Sequence, residues 1–186
     1  MAFSGLATYI KVSPNKTVPK KYKVDTITIH CFVGQVTAKE GADYFANPKR
    51  GASANYVVGK NGDISGCVDE LHRAWTTGGN IKNNGLAGAE NDHRAVTIEV
   101  ACDAKEPYTV NQKAFDALIN LCADICRRNN IKKLVWSKNK SDRINHKDGC
   151  NMTVHRDYDA RSCPGKYLYD RMGQIADLVN GKLGAS

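Results

Sequence analysis

The stretch Val24-Asp-Thr-Ile-Thr-Ile-His30 decides the fold of this chain. Threonine and isoleucine alternate within it, and a β-branched run with a period of two predicts a β-strand. The strand is expected to end at His30, where a rigid backbone would hold an imidazole in place. Residues 95–101, Ala-Val-Thr-Ile-Glu-Val-Ala, predict another strand. These two segments are the first elements of a predicted sheet.

Additional strands are predicted between these two segments and after them. Asn61-Gly62 lies between two strand-like runs, residues 55–59 and 63–68, and is a strong signal for a β-hairpin. Residues 131–136 predict one more strand. Because a hairpin and several strands are mixed with helical segments, the sequence predicts an α/β fold, a single domain with a central mixed β-sheet flanked by helices.

Three segments predict helices. Thr37-Ala-Lys-Glu40 has the spacing of a capping box and opens a short helix that Pro48 stops. Thr109-Val-Asn-Gln112 predicts a second capping box, and the helix after it carries an apolar stripe at helical spacing formed by Phe115, Leu118, Cys122 and Ile125. Pro164 predicts the first turn of a last helix, which Gly181 ends.

Length and composition indicate one globular domain. The 186 residues suffice for one sizeable core. Residues 1–22 are lysine-rich and are expected to form an N-terminal arm packed on the domain or leading into it, and residues 23–181 the domain itself. No run of 18 apolar residues is present, so no membrane insertion is expected. The first residues lack the basic leader and long apolar stretch of a signal peptide.

Charge and cysteine content narrow the function classes. A net charge of +8 indicates attraction to polyanions, for which nucleic acid and anionic wall polymers both qualify. The basic residues are scattered rather than interleaved with aromatic residues, so no nucleic-acid partner is expected. Seven cysteines are an odd number for a chain without an export signal. Free thiols or metal ligands are therefore expected rather than a complete disulfide framework.

His155 and Cys163 are candidate metal ligands. Imidazole and thiolate both bind zinc, and the seven residues between them can form a loop that brings both to one ion. Cys163 precedes Pro164 at the predicted start of a helix, whose positive end would favour the thiolate. His30, at a strand end, is the best candidate for a third ligand. A rival set is equally compatible with the spacing, namely a closed structural zinc site of His146, Cys150, His155 and Cys163.

Five segments together resemble the N-acetylmuramoyl-L-alanine amidases of the type-2 amidase family, which includes phage endolysins, bacterial autolysins and peptidoglycan recognition proteins. They match in order and spacing: Ile27-Thr-Ile-His30, the hairpin at Asn61-Gly62, Arg73-Ala-Trp75, Val96-Thr-Ile-Glu99 and His155-Arg-Asp with Cys163-Pro164. The resemblance covers roughly residues 22 to 180. It implies that His30, His155 and Cys163 bind Zn²⁺, with water in the fourth position. Residues 23–181 would then be a zinc amidase catalytic domain.

Glu99 and Arg161 are the predicted catalytic residues. Glu99 interrupts an apolar strand, and it is either a solvated edge charge or salt-bridge partner or, as the resemblance implies, the catalytic glutamate. Partial burial would raise its pKa and suit it to act as general base and then general acid. Arg161 stands where many relatives carry lysine. The resemblance implies that its charge stabilises the oxyanion, the alternative being an exposed loop charge.

Two positions depart from the family pattern. Ala54 stands where several members carry a catalytic tyrosine, and Tyr56 is either its substitute or, as we favour, a core residue. Thr76 stands where many relatives carry histidine. Trp75 could stack on a sugar ring or fill the core. The remaining histidines are predicted to be surface or groove residues rather than ligands: His72, His93 and His146.

The implied reaction is hydrolysis of the amide bond between N-acetylmuramic acid and L-alanine in bacterial peptidoglycan, driven by a water that zinc acidifies. Two alternatives stay open, a non-catalytic peptidoglycan-binding module of the same fold and a nucleic-acid protein with a structural zinc. An intact Cys163 argues against the binding module. The resemblance also implies a protein made in the cytoplasm of a bacterial host that reaches the wall on phage or prophage lysis. A separate wall-binding domain could follow in a longer protein.

Overall fold

The computed structural model of the protein describes residues 2–78 and 85–185. Its strands are β1 (Tyr9–Ile10), β2 (Lys16–Thr17), β3 (Thr26–Cys31), β4 (Tyr56–Val58), β5 (Ile64–Gly66), β6 (Arg73–Ala74), β7 (Ala95–Val100) and β8 (Met152–Val154). Its α-helices are α1 (Ala38–Ala46), α2 (Gly85–Asp92), α3 (Gln112–Arg128), α4 (Lys140–Ile144), α5 (Gly165–Tyr169) and α6 (Met172–Leu183). Short 3₁₀ turns lie at Pro48–Arg50, Lys147–Gly149 and His155–Asp157.

A six-stranded mixed sheet forms the centre of the molecule, with the strand order β1-β5-β4-β7-β3-β8. Neighbours from β4 to β8 are parallel, whereas β5 is antiparallel to β4. The small strands β2 and β6 pair separately and antiparallel. With helices around this sheet, the structure confirms the predicted α/β fold with a central mixed sheet.

The two faces of the sheet differ in polarity because the strand sequences alternate. Ile27 and Ile29 of β3 lie in the main core, together with Val96, Ile98 and Val100 of β7 and the apolar side of α3. The opposite face carries threonines, and Thr28 of β3 hydrogen-bonds Thr153 of β8 at 2.8 Å. His30 and Glu99 share this polar face at the carboxyl end of their strands. The apolar face therefore builds the core, and the polar face presents the chemistry.

Two local predictions are confirmed. The Thr37 side chain accepts a hydrogen bond from the Glu40 amide at 3.2 Å, and the Glu40 carboxylate accepts one from the Thr37 amide at 2.7 Å. This capping box begins α1, which ends before Pro48. The hairpin forms from β4 and β5, and Gly62 has a φ of +81° in its turn, a conformation that glycine adopts without strain.

Two predictions about element boundaries and type were wrong. The second capping box does not form, because the Asn111 side chain accepts from the Ala114 amide and begins α3 instead. Residues 131–136 do not form a strand. Several of their backbone groups bond side chains, and none pairs with a strand of the sheet in the part of the chain that the structure describes. Asn180 bonds both the amide and the carbonyl of Leu134, and Asn151 bonds the amide of Val135.

The C-terminal helix also differs from the prediction. The chain forms two helices, α5 and α6, that are separated at Asp170 and Arg171. Gly181 lies inside α6, which ends instead at Gly184 with a φ of +69°. A left-handed glycine satisfies the last helical carbonyls, whereas a glycine in a right-handed conformation does not end a helix.

The N-terminal arm takes part in the sheet. β1 adds to the edge of the sheet by pairing in parallel with β5, and β2 pairs with β6. Lys20 extends this contact, since its Nζ donates to the backbone carbonyl of Glu70 at 2.9 Å. In the part of the chain that the structure describes, no helix has the length and apolar character needed to cross a membrane.

Candidate active site

Three polar side chains lie side by side at the carboxyl ends of adjacent parallel strands. His30 of β3 is the register partner of Glu99 of β7. On the other side, Ile29 pairs with Val154 at the end of β8, so His155 follows directly beside His30. The imidazole centroids of His30 and His155 are 5.0 Å apart. The carboxyl ends of parallel strands are where α/β folds commonly place their ligands.

Cys163 completes the group from the loop before α5. Its Sγ lies 3.5 Å from His30 Nδ1. One ligand atom from each of His30, His155 and Cys163 can be chosen so that all lie within 4.8 Å of one another. Tetrahedral zinc, with bonds of about 2.0 Å to nitrogen and about 2.3 Å to sulfur, separates these two donor atoms by roughly 3.5 Å. The donor set and its spacing therefore fit a zinc ion.

The surroundings of these residues favour the protonation states that a metal requires. Burial and the nearby His155 lower the pKa of His30 well below its usual range. Burial and the charge of Arg161 lower the pKa of His155. Both rings are therefore neutral and able to donate a lone pair at neutral pH. The backbone amide of Cys31 donates to the sulfur of Cys163 at 3.4 Å.

Glu99 is half-buried beside this group. Its Oε2 is buried and has no hydrogen-bond partner among the residues that the structure describes. Burial, with a smaller contribution from Cys102, raises the pKa of Glu99 to about 8. A carboxylate with a buried, unpartnered oxygen and a raised pKa is typical of a general acid or base.

Arg161 lies on the surface of the same loop as Cys163. Its Nε donates to Asp159 Oδ2 at 2.9 Å, and its side chain is 64% exposed. Its charge acts on the site, since it lowers the pKa of His155. The charge of Arg161 is therefore partly neutralised by Asp159 and screened by solvent, which limits the electrostatic effect it can have on the site.

A buried ion pair supports the turn that carries His155. Arg143 donates to both carboxylate oxygens of Asp157, at 3.0 and 2.6 Å, and both side chains are almost fully buried. The guanidinium carbon of Arg143 lies 4.2 Å from the ring centroid of Trp136. Asp157 also accepts from the amide of Val154 at 3.1 Å. The strand end and the turn after it are thus held together.

His30 has its own support, which sequence reasoning missed. Thr77 Oγ1 lies 3.2 Å from His30 Nε2. The backbone amides of Thr76, Thr77 and Gly78 all donate to Oδ2 of Asp92, the last residue of α2. No local sequence pattern links residue 92 to residues 76–78, because the contact is tertiary.

The rival structural zinc site is not assembled. His146 Nδ1 contacts the backbone carbonyl of Cys150 at 3.0 Å. Within residues 2–78 and 85–185, the group of His30, His155 and Cys163 alone has three such donors close enough to share an ion. His146 and Cys150 are therefore separate from it.

The other residues singled out from the sequence lie outside the group of His30, His155 and Cys163. Tyr56 is fully buried, and its hydroxyl bonds the Glu70 carboxylate and accepts from the Ser4 amide, which confirms the core interpretation. Trp75 is half-buried, and its indole N–H donates to Thr17 Oγ1 at 2.9 Å. Neither His72 nor His93 belongs to the metal-competent group. His93 is buried rather than exposed, and it accepts from the Lys21 amide at 3.3 Å.

The single α/β domain thus brings two imidazoles, a thiol and a carboxylate together at the carboxyl edge of its sheet, and three of these groups are spaced as the ligands of one metal ion would be. A family model described as N-acetylmuramoyl-L-alanine amidase matches residues 20–166. The match covers most of the chain, and the protein belongs to this family. At the level of sequence, no curated protein matches it.

Solved structures share the fold. The catalytic domain of XlyA is similar with a TM-score of 0.64 at 17% identity, over 92% of this chain and 97% of that one. A mutant endolysin from Bacillus subtilis is similar with a TM-score of 0.64 at 19% identity, over 92% and 97% of the two chains. The hydrolase AmiA from Staphylococcus aureus, in complex with its ligand, is similar with a TM-score of 0.64 at 17% identity, over 95% and 84%.

Proposed function

We propose that the protein is a zinc-dependent hydrolase that cleaves the amide bond between N-acetylmuramic acid and L-alanine in bacterial peptidoglycan. Membership of the amidase family supports the reaction class. The observation that carries the proposal is the convergence of His30, His155 and Cys163, with the unpaired carboxylate of Glu99 in the neighbouring strand. Residues 23–181 would form the catalytic domain, and residues 1–22 its N-terminal arm.

His30, His155 and Cys163 would hold the ion and leave its remaining position open to solvent. When bound, Zn²⁺ would polarise the carbonyl of the scissile amide and acidify a water molecule. Three protein ligands are the usual complement of a catalytic zinc, whereas structural sites use four. The two neutral imidazoles and one thiolate would leave the site with a net charge of about +1, which suits stabilisation of an oxyanion.

Glu99 would carry the proton through the reaction. Its carboxylate would accept a proton from the attacking water and then deliver it to the alanine nitrogen as the C–N bond breaks. A pKa of about 8 without metal would fall once a cation lies beside the carboxylate. The resulting value, closer to neutrality, would let the residue both accept and release a proton. Arg161 would add positive charge near the developing oxyanion.

The net charge of +8 supports a wall-directed role. A positively charged protein would be attracted to a wall that carries anionic polymers, and salt would weaken this attraction. The family resemblance favours an enzyme that is made in the cytoplasm of a bacterial host and reaches the wall during phage or prophage lysis.

The deciding experiment is mass spectrometry of fragments released from purified cell walls. Free stem peptides with an L-alanine amino terminus are expected, and their release should stop with a chelator and resume with zinc. Intact binding of wall fragments without cleavage in zinc-containing buffer would instead identify a binding module.

Metal analysis of two variants tests the assigned ligands. His30→Ala should lose bound zinc. Cys150→Ala should retain it, because this buried thiol lies outside the group and serves as the matched control. The reverse result would establish the structural site of His146, Cys150, His155 and Cys163 and contradict the proposal.

A further inference from the structure

We propose that Asp92 and Thr77 are positioning residues for His30, with Asp92 fixing the backbone of residues 76–78 and the Thr77 hydroxyl fixing the imidazole. This inference rests on the proposed zinc site. The Asp92 carboxylate, the turn at residues 76–78 and the Thr77 hydroxyl together orient the ring of His30, so that Nδ1 faces the metal position. Such support for metal-bound histidines commonly tunes metal affinity.

Asp92 is a buried anchor for the turn. It is fully buried, and its Oδ2 accepts from the amides of Thr76, Thr77 and Gly78 at 3.2, 2.8 and 3.0 Å. Hydrogen bonds to a carboxylate are stronger than those between neutral groups, so three of them on one oxygen fix the backbone of residues 76–78 to Asp92. Burial raises the pKa of Asp92, while the hydrogen bonds from Thr77 and Gly78 and the charge of the buried Arg73 guanidinium act to lower it.

Thr77 connects this fixed turn to the imidazole of His30. Its Oγ1 lies 3.2 Å from His30 Nε2, while His30 Nδ1 lies 3.5 Å from Cys163 Sγ. A neutral imidazole carries one proton, so an Nε2–H that donates to the hydroxyl leaves a lone pair on Nδ1. In this tautomer the hydroxyl accepts the Nε2 proton, and the nitrogen facing Cys163 is free to bind a metal.

The turn is also held from the opposite side. A Cβ at Gly88 of α2 would lie 2.7 Å from the carbonyl oxygen of Thr77, so the helix backbone packs directly on the turn. Asn91 fixes the helix to the sheet, since it donates to Thr28 of β3 and accepts from Thr153 of β8, at 2.9 and 3.0 Å. The distance from the Thr77 hydroxyl to His30 is thus set by rigid elements on both sides.

Zinc affinity distinguishes positioning from a purely structural role. Thr77→Val keeps the shape of the side chain and removes its hydroxyl, whereas Thr77→Ser keeps the hydroxyl. The affinity of each protein for zinc is measured by competition with a chromophoric chelator, together with the visible absorption of the cobalt-substituted form. Thr77→Val should bind zinc about 10- to 100-fold more weakly, with an altered cobalt spectrum, and Thr77→Ser should restore affinity to near the wild-type value.

Ser65→Ala is the matched control. Ser65 is a buried residue of β5 whose hydroxyl donates to the Ala38 carbonyl at 2.8 Å, remote from β3 in the sheet. Its variant should lower the melting temperature of the metal-free protein while leaving zinc affinity unchanged. If Thr77→Val behaves in the same way as Ser65→Ala, the positioning role is refuted. If the wild-type protein binds no zinc, the proposed function itself fails.

A double variant tests whether Asp92 acts through Thr77. Asp92→Asn should also weaken zinc binding. If the two residues form one route to His30, combining Asp92→Asn with Thr77→Val should cost less affinity than the product of the two single losses. A loss equal to that product would show that Asp92 acts independently of Thr77, which would contradict the proposal that it positions His30 through Thr77.

Discussion

Replacing Glu99 with glutamine should stabilise the metal-free protein at neutral pH while abolishing hydrolysis. Burial raises the pKa of Glu99 from its usual 4.5 to about 8. A carboxyl whose pKa is raised by folding contributes most at low pH, and this contribution is lost as the pH rises from 4.5 towards 8. Glutamine carries no charge and avoids that loss, so the difference between variant and wild type should grow across this window.

The size of this stabilisation follows from the pKa shift of Glu99. Between pH 4.5 and pH 7 the unfolded carboxyl ionises while the folded one largely does not, a span of about 2.5 pH units at about 1.36 kcal/mol each. The upper limit is therefore about 3 kcal/mol. Because Glu99 keeps some exposure to solvent, we expect Glu99→Gln to raise the free energy of unfolding by about 2 kcal/mol at pH 7.

Urea unfolding in the presence of a chelator, at several pH values from 4.5 to 8, measures this difference. Comparing variant with wild type cancels the contribution of the imidazoles of His30 and His155, whose lowered pKa values act in the opposite direction. Glu40→Gln is the control. Hydrogen bonds from Thr37 lower the pKa of Glu40, so the wild type gains stability from this carboxylate as the pH rises. Glu40→Gln should therefore become less stable than the wild type over the same range. Equal stability of Glu99→Gln and wild type at every pH would refute the reasoning.

Three further outcomes are expected. Arg161→Ala should lower kcat about tenfold at unchanged zinc affinity, less than the roughly 10²-fold effect of a buried oxyanion donor because the side chain is exposed; loss of bound zinc would contradict an electrostatic role. Asp157→Ala leaves Arg143 buried without its carboxylate and should lower the free energy of unfolding by about 3–5 kcal/mol in urea, whereas a loss under about 1 kcal/mol would contradict the importance of this pair. Zinc at about a thousandfold excess over its Kd should stabilise the protein by about 4 kcal/mol, and a melting temperature that ignores both zinc and chelator would contradict a folded-state site.

The strands that carry the candidate site were predictable because their signal is local. The alternation around Ile27 and Ile29 fixed which side of β3 would be apolar, and the same pattern holds around Ile98 in β7. The spacing of His155 and Cys163 predicted a shared metal ion but left His146 and Cys150 open as the other ligands, and only the family resemblance decided in favour of His30. The register that aligns His30 with Glu99 could not, since pairing of parallel strands far apart in sequence leaves no local trace.

Elements held by tertiary contacts were missed or misassigned. β8 is three residues long, too short for a periodic signal, although it delivers His155. The apolar run at residues 131–136 resembles a strand, but the side chains of Asn180 and Asn151 occupy its backbone groups. In the sequence, Asp92 follows an asparagine at a helix end and cannot be distinguished from an ordinary turn residue. Its importance arises from three amides that belong to a different segment.

The row formed by Glu99, His30 and His155 has a consequence for how such a protein can change over time. All three depend on strand register, so inserting or deleting one residue within β3 or β7 would move an imidazole or a carboxylate to the apolar face and bury it in the core. Loops that hold neither a strand of the sheet nor a residue supporting His30 carry no such constraint. Lengthening such loops beside the site could change which substrates are accepted while Glu99, His30 and His155 stay in place.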